Sequence, residues 1–264
     1  MPAGVTMATA DDERTALAQK HFGAVAAAYV TSSVHVSGLD LEALIKAAAG
    51  TGSEAAIDIG CGAGHTALAL APRVKSVVAV DVTAEMLQVA SALADEKQIA
   101  NVTFRQADAT DLPFDSGSFD IATSRYSAHH YIDPALALRE IARVLRPGGR
   151  FLLVDTVSPE DPALDTFFNA VELLRDPSHV RNCRISEWER MFLQAGLTPE
   201  VLLRYPLSLD GESWVTRMQT PANRVGAVQE LFAAASPAAQ ATFSIRDGED
   251  WGWTIPVALI AGSH

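Results

Sequence analysis

Three glycines at alternate positions, Gly60, Gly62 and Gly64, follow the apolar run 55–60. Between a strand and a helix, such glycines let a ligand approach the backbone closely, and the unpaired N–H groups of the helix start face any negative group it carries. The spacing is G-x-G-x-G, and His65 stands where a dinucleotide fingerprint would need its third glycine. Asp81, 21 positions beyond Gly60, closes the next apolar run, where a carboxylate can accept bonds from both hydroxyls of a ribose. Thr83 is a competent cap for the helix that follows, which spares Asp81 that task. Asp108, after the third run, can accept from an adenine amino group or sit as a solvated loop carboxylate. Asp58, beside the glycines, can orient the turn or receive an ammonium.

The charge pattern separates candidate ligands. A dinucleotide brings phosphates, whereas S-adenosylmethionine (SAM) brings a sulfonium and an ammonium with a single carboxylate. Asp58, Asp81 and Asp108, with no Lys or Arg between 58 and 72, suit the second ligand. A second cluster, Ser124-Arg125-Tyr126-Ser127-Ala128-His129-His130, follows the fourth apolar run. Histidine is the natural base near neutrality, and His130 with Tyr126 are the candidate catalytic groups. Adjacent histidines cannot both face one site from a helix, and either can instead be a packing or capping residue. Arg125 can bind an anionic group of a ligand or pair with a neighbouring acid.

These residues need elements to hold them. Runs at 55–60, 76–82, 102–108, 119–125 and 150–157 read as strands, separated by helical periodicity at 40–49, 66–73, 84–98 and 134–145. This alternation predicts parallel strands joined by crossover helices. Pro134 suits a first helical turn, and Pro147-Gly148-Gly149 ends that helix. Beyond 160 come helical stretches at 162–176, 185–196 and 212–234, a strand-like run at 199–207 and a last strand from Trp253 to Ala261, the late strands forming an antiparallel hairpin at the sheet edge. Residues 1 to about 15 read as a loosely ordered tail, with the organised chain beginning near Leu17. In the insert 158–184, Leu164, Phe167, Phe168, Val171 and Leu174 have helical spacing, more readily core than pocket, and the polar run 175–181 with His179 lies beside them. This insert is where acceptor selection is expected. Trp188, Trp214, Trp251 and Trp253 read as packing residues.

The formal charge of −12 disfavours a nucleic-acid groove, because such affinity rests on Lys and Arg. Two cysteines, Cys61 and Cys183, supply neither a disulfide framework nor a metal set. No apolar run approaches the roughly 20 residues of a membrane span, and no signal or transit peptide is evident, so a cytoplasmic location is expected.

As an ordered set, 22–35 (FGAVAAAYVTSSVH), 58–68 (DIGCGAGHTAL), 78–87 (VAVDVTAEML), 108–134 and 139–155 (REIARVLRPGGRFLLVD) resemble the class I SAM-dependent methyltransferases, and within them the ubiquinone/menaquinone biosynthesis C-methyltransferases. The resemblance covers about two thirds of the chain. It implies an α/β, Rossmann-like, seven-stranded and mostly parallel sheet with its last strand antiparallel, helices on both faces and a helical cap. It places Asp58, Gly60, Cys61 and Gly62 around the methionine part of SAM, Asp81 at the ribose, Val82 and Met86 on the adenine faces, and Asp108 with Ala109 at the adenine edge. Tyr29 matches an aromatic position that closes over the cofactor, with ordinary helix packing as its alternative role, and Arg125 is counted with the cofactor residues.

The expectation is one methyltransferase domain over 1–264. Residues 1–38 form a tail and helical cap, 39–160 the cofactor core, and 161–264 the substrate-cap helices and final strands. A monomer or homodimer would transfer a methyl group from SAM to a small organic molecule, leaving S-adenosylhomocysteine (SAH), with no metal, nucleic acid or stable membrane insertion. Carbon methylation of a quinone-like ring follows the resemblance. Oxygen or nitrogen methylation of a secondary metabolite, an NAD-linked oxidoreductase and a non-catalytic SAM-binding module are the competing readings.

Overall fold

The structure, a computed structural model, describes residues 10–30 and 37–264. Seven strands form one sheet: β1 (Ala55–Ile59), β2 (Ser76–Asp81), β3 (Val102–Gln106), β4 (Phe119–Arg125), β5 (Leu145–Thr156), β6 (Thr198–Asp210) and β7 (Gly252–Ser263). Their order is β3-β2-β1-β4-β5-β7-β6. The first five run parallel, while β7 is antiparallel to both of its neighbours, β5 and β6. The expected mostly parallel sheet with an antiparallel late hairpin is therefore what the chain forms, the last strand inserting inside the sixth. β1 and β4 are buried nearly throughout, as central parallel strands covered on both faces must be.

Strand order reverses between β1 and β4, because β2 and β3 extend one way and β5 the other. Loops leaving the carboxyl ends of strands on either side of such a reversal diverge and leave a crevice between them. The glycine turn after β1 and the segment after β4 both belong to that crevice.

Ten helices accompany the strands among the described residues: α1 (Ala10–Val30), α2 (Leu39–Ala48), α3 (His65–Leu70), α4 (Ala84–Glu96), α5 (Pro134–Val144), α6 (Pro162–Arg175), α7 (Ile185–Gln194), α8 (Gly211–Arg217), α9 (Ala222–Ala233) and α10 (Pro237–Phe243). On one face Leu138 and Ile141 of α5 and Trp188 and Phe192 of α7 pack on the sheet. On the other lie Leu44 of α2, Leu68 of α3 and Leu93 of α4. A third core gathers Phe168 of α6, Trp214, Phe232, Phe243, Trp251 and Trp253 beneath α8–α10. The tryptophans are thus packing residues. Gly211 is required there, since a Cβ would strike the Trp251 ring.

Several boundaries differ from the sequence reading. Helix α1 already runs from Ala10, so residues 10–16 are helical rather than tail. Residues 1–9 and 31–36, including the end of the first motif, lie outside the described residues. The stretch 212–234 is two helices, because Gln219 turns to φ 51° and Pro221 disfavours helical backbone at the residue before it. β5 starts at Leu145, directly where α5 ends, so Pro147-Gly148-Gly149 opens a strand rather than a loop. Helix α10 lacks a long apolar period and was not anticipated.

Candidate active site

A cavity of 390 Å³ opens over the carboxyl ends of β1, β2 and β4, within the range of small-molecule sites. Its floor at one end is the glycine turn. Gly60, Gly62 and Gly64 all have positive φ, at 65°, 52° and 84°, a region glycine enters without the cost a side chain brings. At Gly62 a Cβ would meet nothing within 4 Å, so the turn presents bare backbone to the cavity. At Gly60 a Cβ would collide with Ser127 of the β4 loop, so this glycine is needed for the two loops to close on each other.

Asp81 stands beside the turn. Its Oδ2 accepts from Gly62 N–H and its Oδ1 from Thr83 N–H, both at 2.9 Å. Thr83 makes no side-chain cap bond to α4, contrary to the expectation. Asp81 itself ties down the backbone at the helix entrance, because its strand-end position brings the carboxylate within reach of both loops. Burial raises its pKa against the opposing pull of the Thr83 and Gly62 N–H groups. Val82, Met86, Asp108 and Ala109 line the next part of the cavity. Asp108 Oδ1 accepts from the Thr110 N–H at 2.8 Å and the Thr110 hydroxyl at 2.7 Å, which sets the carboxylate's orientation. Cys61 also lines the cavity, its thiol held neutral by burial and by the neighbouring Asp81 and Asp58.

Asp58 is placed differently. It is buried beneath the turn and is not among the lining residues. Its Oδ1 accepts from the Thr123 hydroxyl at 2.7 Å, and burial pushes its pKa up to about 7. Arg125 does line the cavity, but its Nε is engaged by Asp40 of α2, and its guanidinium carbon lies 5.0 Å from the centre of the Tyr126 ring.

Helix α1 roofs the cavity with Thr15, Ala18, Phe22 and Tyr29. Among the described residues, bonds tie it to the loops after β1 and β2: Gln19 Nε2 donates to Val82 O at 2.9 Å, and His65 Nε2 to Tyr29 O at 3.0 Å. His65, noted in the sequence only as a missing glycine, thus pins the roof to the turn. Tyr29 Oη donates to Met218 Sδ at 3.1 Å, so the ring closes one end of the cavity and joins it to the cap helices.

The segment after β4 splits to both faces of the sheet. Tyr126 adopts φ 52°, an uncommon conformation for a non-glycine residue. It lines the cavity, while its ring packs with the α2–α4 core and its hydroxyl meets the Tyr205 hydroxyl at 2.6 Å. Burial drives that phenol far above its ordinary pKa. Tyr131, which the sequence reading passed over, packs with the opposite core and lines the cavity beside Ser127. Ala128–His130 form a single 3-10 turn. His129 is held by Asp155, with its Nδ1 2.7 Å from Oδ1 and its backbone N–H 3.0 Å from Oδ2. Burial lowers its pKa, but the carboxylates of Asp155, Glu172 and Asp176 together outweigh burial and leave it raised.

His130 faces the cavity alone of the pair. Its Nδ1 lies 3.0 Å from Ser178 O, and because a carbonyl only accepts, Nδ1 carries the proton and Nε2 keeps a lone pair in the neutral ring. Burial, then the adjacent His129, lowers its pKa to about 4. Phe22 packs edge-on against it at 4.9 Å. His179 is buried against Asn169 rather than directed into the cavity. From the insert only Ser178 and Val180 reach it, and Phe167 and Phe168 belong to the cap core.

The donor set fits an adenosyl sulfonium and not a pyrophosphate. Asp81 and Asp108 line the cavity, and among the described residues its one guanidinium, that of Arg125, is already paired with Asp40. A methyltransferase-domain family model matches residues 57–153, the span from β1 into β5. The uncharacterised methyltransferase YcgJ of Bacillus subtilis (strain 168) is 44% identical over 237 residues, 89% of this chain and 94% of the relative. This chain belongs to the class I SAM-dependent methyltransferases. The crystal structure of YcgJ superposes on this methyltransferase with a TM-score of 0.83 over 85% of this chain and 97% of that one. The protein YafE of Escherichia coli (strain K12) is 41% identical over 70% of this chain and 89% of its own. A demethylmenaquinone methyltransferase of Clavibacter sepedonicus is 37% identical over 49% of this methyltransferase and 54% of its own length. SAM is the cofactor of this enzyme family, and no helix among the described residues is long and apolar enough to cross a membrane.

Proposed function

We propose that this methyltransferase acts on a planar, hydroxylated ring of the quinol class and methylates a ring carbon. The observation that carries the reading is the acceptor end of the cavity. Phe22, Tyr131, Ile132 and Val180 make it largely apolar and aromatic, and among the described residues His130 brings a neutral imidazole to it, with Nε2 unprotonated and 3.8 Å from Asp176 Oδ2. A flat ring fits between aromatic walls, and removal of its hydroxyl proton by His130 would raise electron density at the adjacent carbon. The partial resemblance to a demethylmenaquinone methyltransferase supports the same class.

Within this reading Asp81 holds the ribose, Val82 and Met86 flank the adenine, and Asp108 with Ala109 takes the adenine edge. Gly60, Cys61 and Gly62 face the methionine part, and Tyr29 closes over it. Asp58 acts from beneath, through the turn, rather than by touching the ligand. Arg125 acts as a structural tie to Asp40, and Tyr126 shapes the loop without serving as a base. Within one domain, α1 serves as roof, 39–160 as cofactor core and 161–264 as the remaining wall and cap. Once SAM supplies an activated methyl group, the chain's work is positioning, which can contribute roughly 7–11 kcal/mol in favourable models.

The test is incubation with methyl-labelled SAM and a reduced naphthoquinone lacking its ring methyl, alongside a metabolite extract. Mass spectrometry and NMR should locate the label on ring carbon. A methyl ether or N-methyl product alone would overturn the carbon reading, and SAM binding with no labelled product from any source would favour a non-catalytic module.

A further inference from the structure

Behind the glycine turn lies a chain of three hydroxyls. Ser127 Oγ donates to Ile59 O at 3.3 Å. Ser124 Oγ lies 2.8 Å from Ser127 Oγ and 3.0 Å from Tyr131 Oη. Each hydroxyl has one proton, and the chain ends on a carbonyl that has none to give. With Ser127 donating to Ile59, Ser124 donates to Ser127, and the Tyr131 proton goes inward to Ser124, with Ser127 as a second acceptor beside it. Ser124 is fully buried, so no solvent competes for its proton.

The consequence falls on Tyr131. Its proton is committed inward, and its phenol is held un-ionised by burial. The remaining lone pairs of Oη lie outside the chain, and the oxygen sits 3.9 Å from where a Cβ on Gly60 would be. Tyr131, Ser127 and Gly60 all line the cavity. At the junction of the cofactor and acceptor ends the protein thus holds an oxygen that accepts and cannot donate.

We infer that Tyr131 Oη is the acceptor facing the methyl-bearing sulfonium of SAM, and that the Ser124–Ser127–Ile59 chain fixes this polarity. A sulfonium makes its methyl hydrogens electron-poor, and C–H groups of that kind make weak hydrogen bonds to oxygen. A hydroxyl free to rotate would turn its proton toward the cavity part of the time and repel the cation. The locked chain removes that orientation. SAH lacks both the charge and the methyl group, so the contact discriminates substrate cofactor from product.

Titration calorimetry with SAM and with SAH, without any acceptor, tests the assignment. Tyr131→Phe should weaken SAM roughly threefold to tenfold and leave SAH within about twofold. With carbon-13 methyl-labelled SAM, the bound methyl proton resonance of the wild type should lie downfield of the free ligand, and Tyr131→Phe should abolish that displacement. Ser124→Ala keeps Oη in place but releases its proton, and should reproduce part of the selective loss. Equal weakening of both ligands, or no change in either, overturns the inference. If Tyr131→Phe fails to fold, an unchanged SAM-to-SAH preference in the double variant Ser124→Ala/Ser127→Ala, which removes both inward acceptors, overturns it equally.

Discussion

The two ends of the cavity are built by different means. The end assigned above to the cofactor uses backbone and acids within the first three β-α units: the turn Gly60–Gly64, Asp81 at the end of β2 and Asp108 just beyond β3. Each position follows from a strand ending where it does, so local chain geometry suffices. The end assigned above to the acceptor takes Phe22 from α1, His130 and Tyr131 from the β4 loop, and Ser178 and Val180 from the segment after α6. These residues are separated by up to 158 positions, from Phe22 to Val180, and meet only once the sheet and its helices have packed. A cofactor common to a family can be held by a local device, whereas an acceptor is selected by a surface assembled from remote segments.

That division is open to attack, first at its strongest point. Asp81→Ala removes a carboxylate that holds both Gly62 and Thr83 N–H groups, and SAH affinity measured by calorimetry should fall roughly 100-fold or more. Unchanged affinity would remove the ribose assignment and the independence of the cofactor end. Next, His130→Gln should lower turnover of the labelled acceptor by roughly 100-fold, the usual scale for losing a general base, with SAH binding preserved. A parallel loss of SAH binding would show that the two ends are not separable.

Smaller effects sharpen the comparison. Tyr126→Phe breaks the hydrogen bond to Tyr205 and should cost about 1 kcal/mol in denaturant unfolding, with cofactor affinity retained. Loss of turnover without loss of stability would instead restore Tyr126 as a base. The last expectation concerns acid. Folded His130 binds its proton only near pH 4, whereas an unfolded histidine binds one near pH 6.5. Between those values the unfolded state holds more protons, so this residue costs stability as pH falls through the window. The melting temperature of His130→Gln should therefore drop less than that of the wild type between about pH 7 and about pH 5. An equal drop would mean that His130 titrates normally and is exposed to solvent.

The pattern of legibility follows the same line. Periodicity located the five parallel strands and their helices, because each is a local amphipathic or buried run. It joined α8 to α9, since Pro221 and the positive φ of Gln219 interrupt one apolar period without erasing it. The roof was only partly visible. Tyr29 was found by resemblance, while Phe22, Gln19 and His65 carry no local signature of contact with the cavity. A signal for Tyr131 existed in the hydroxyl-rich spacing Ser124, Ser127, Tyr131. Its meaning depends on Tyr126 turning left-handed, which sends one tyrosine to each side of the sheet.

The amino-acid sequence by itself determined the class of fold, the glycine turn and the acids that follow it, because strand ends and turn chemistry depend on neighbours in the chain. Tertiary structure decided which histidine of an adjacent pair faces the cavity, which tyrosine stands at the turn, and that α1 closes above them. The physical reason is that orientation in the β4 loop depends on partners such as Asp155, Tyr205 and Ser178. These lie 26, 79 and 48 positions from His129, Tyr126 and His130 respectively. No local pattern encodes which of them will arrive.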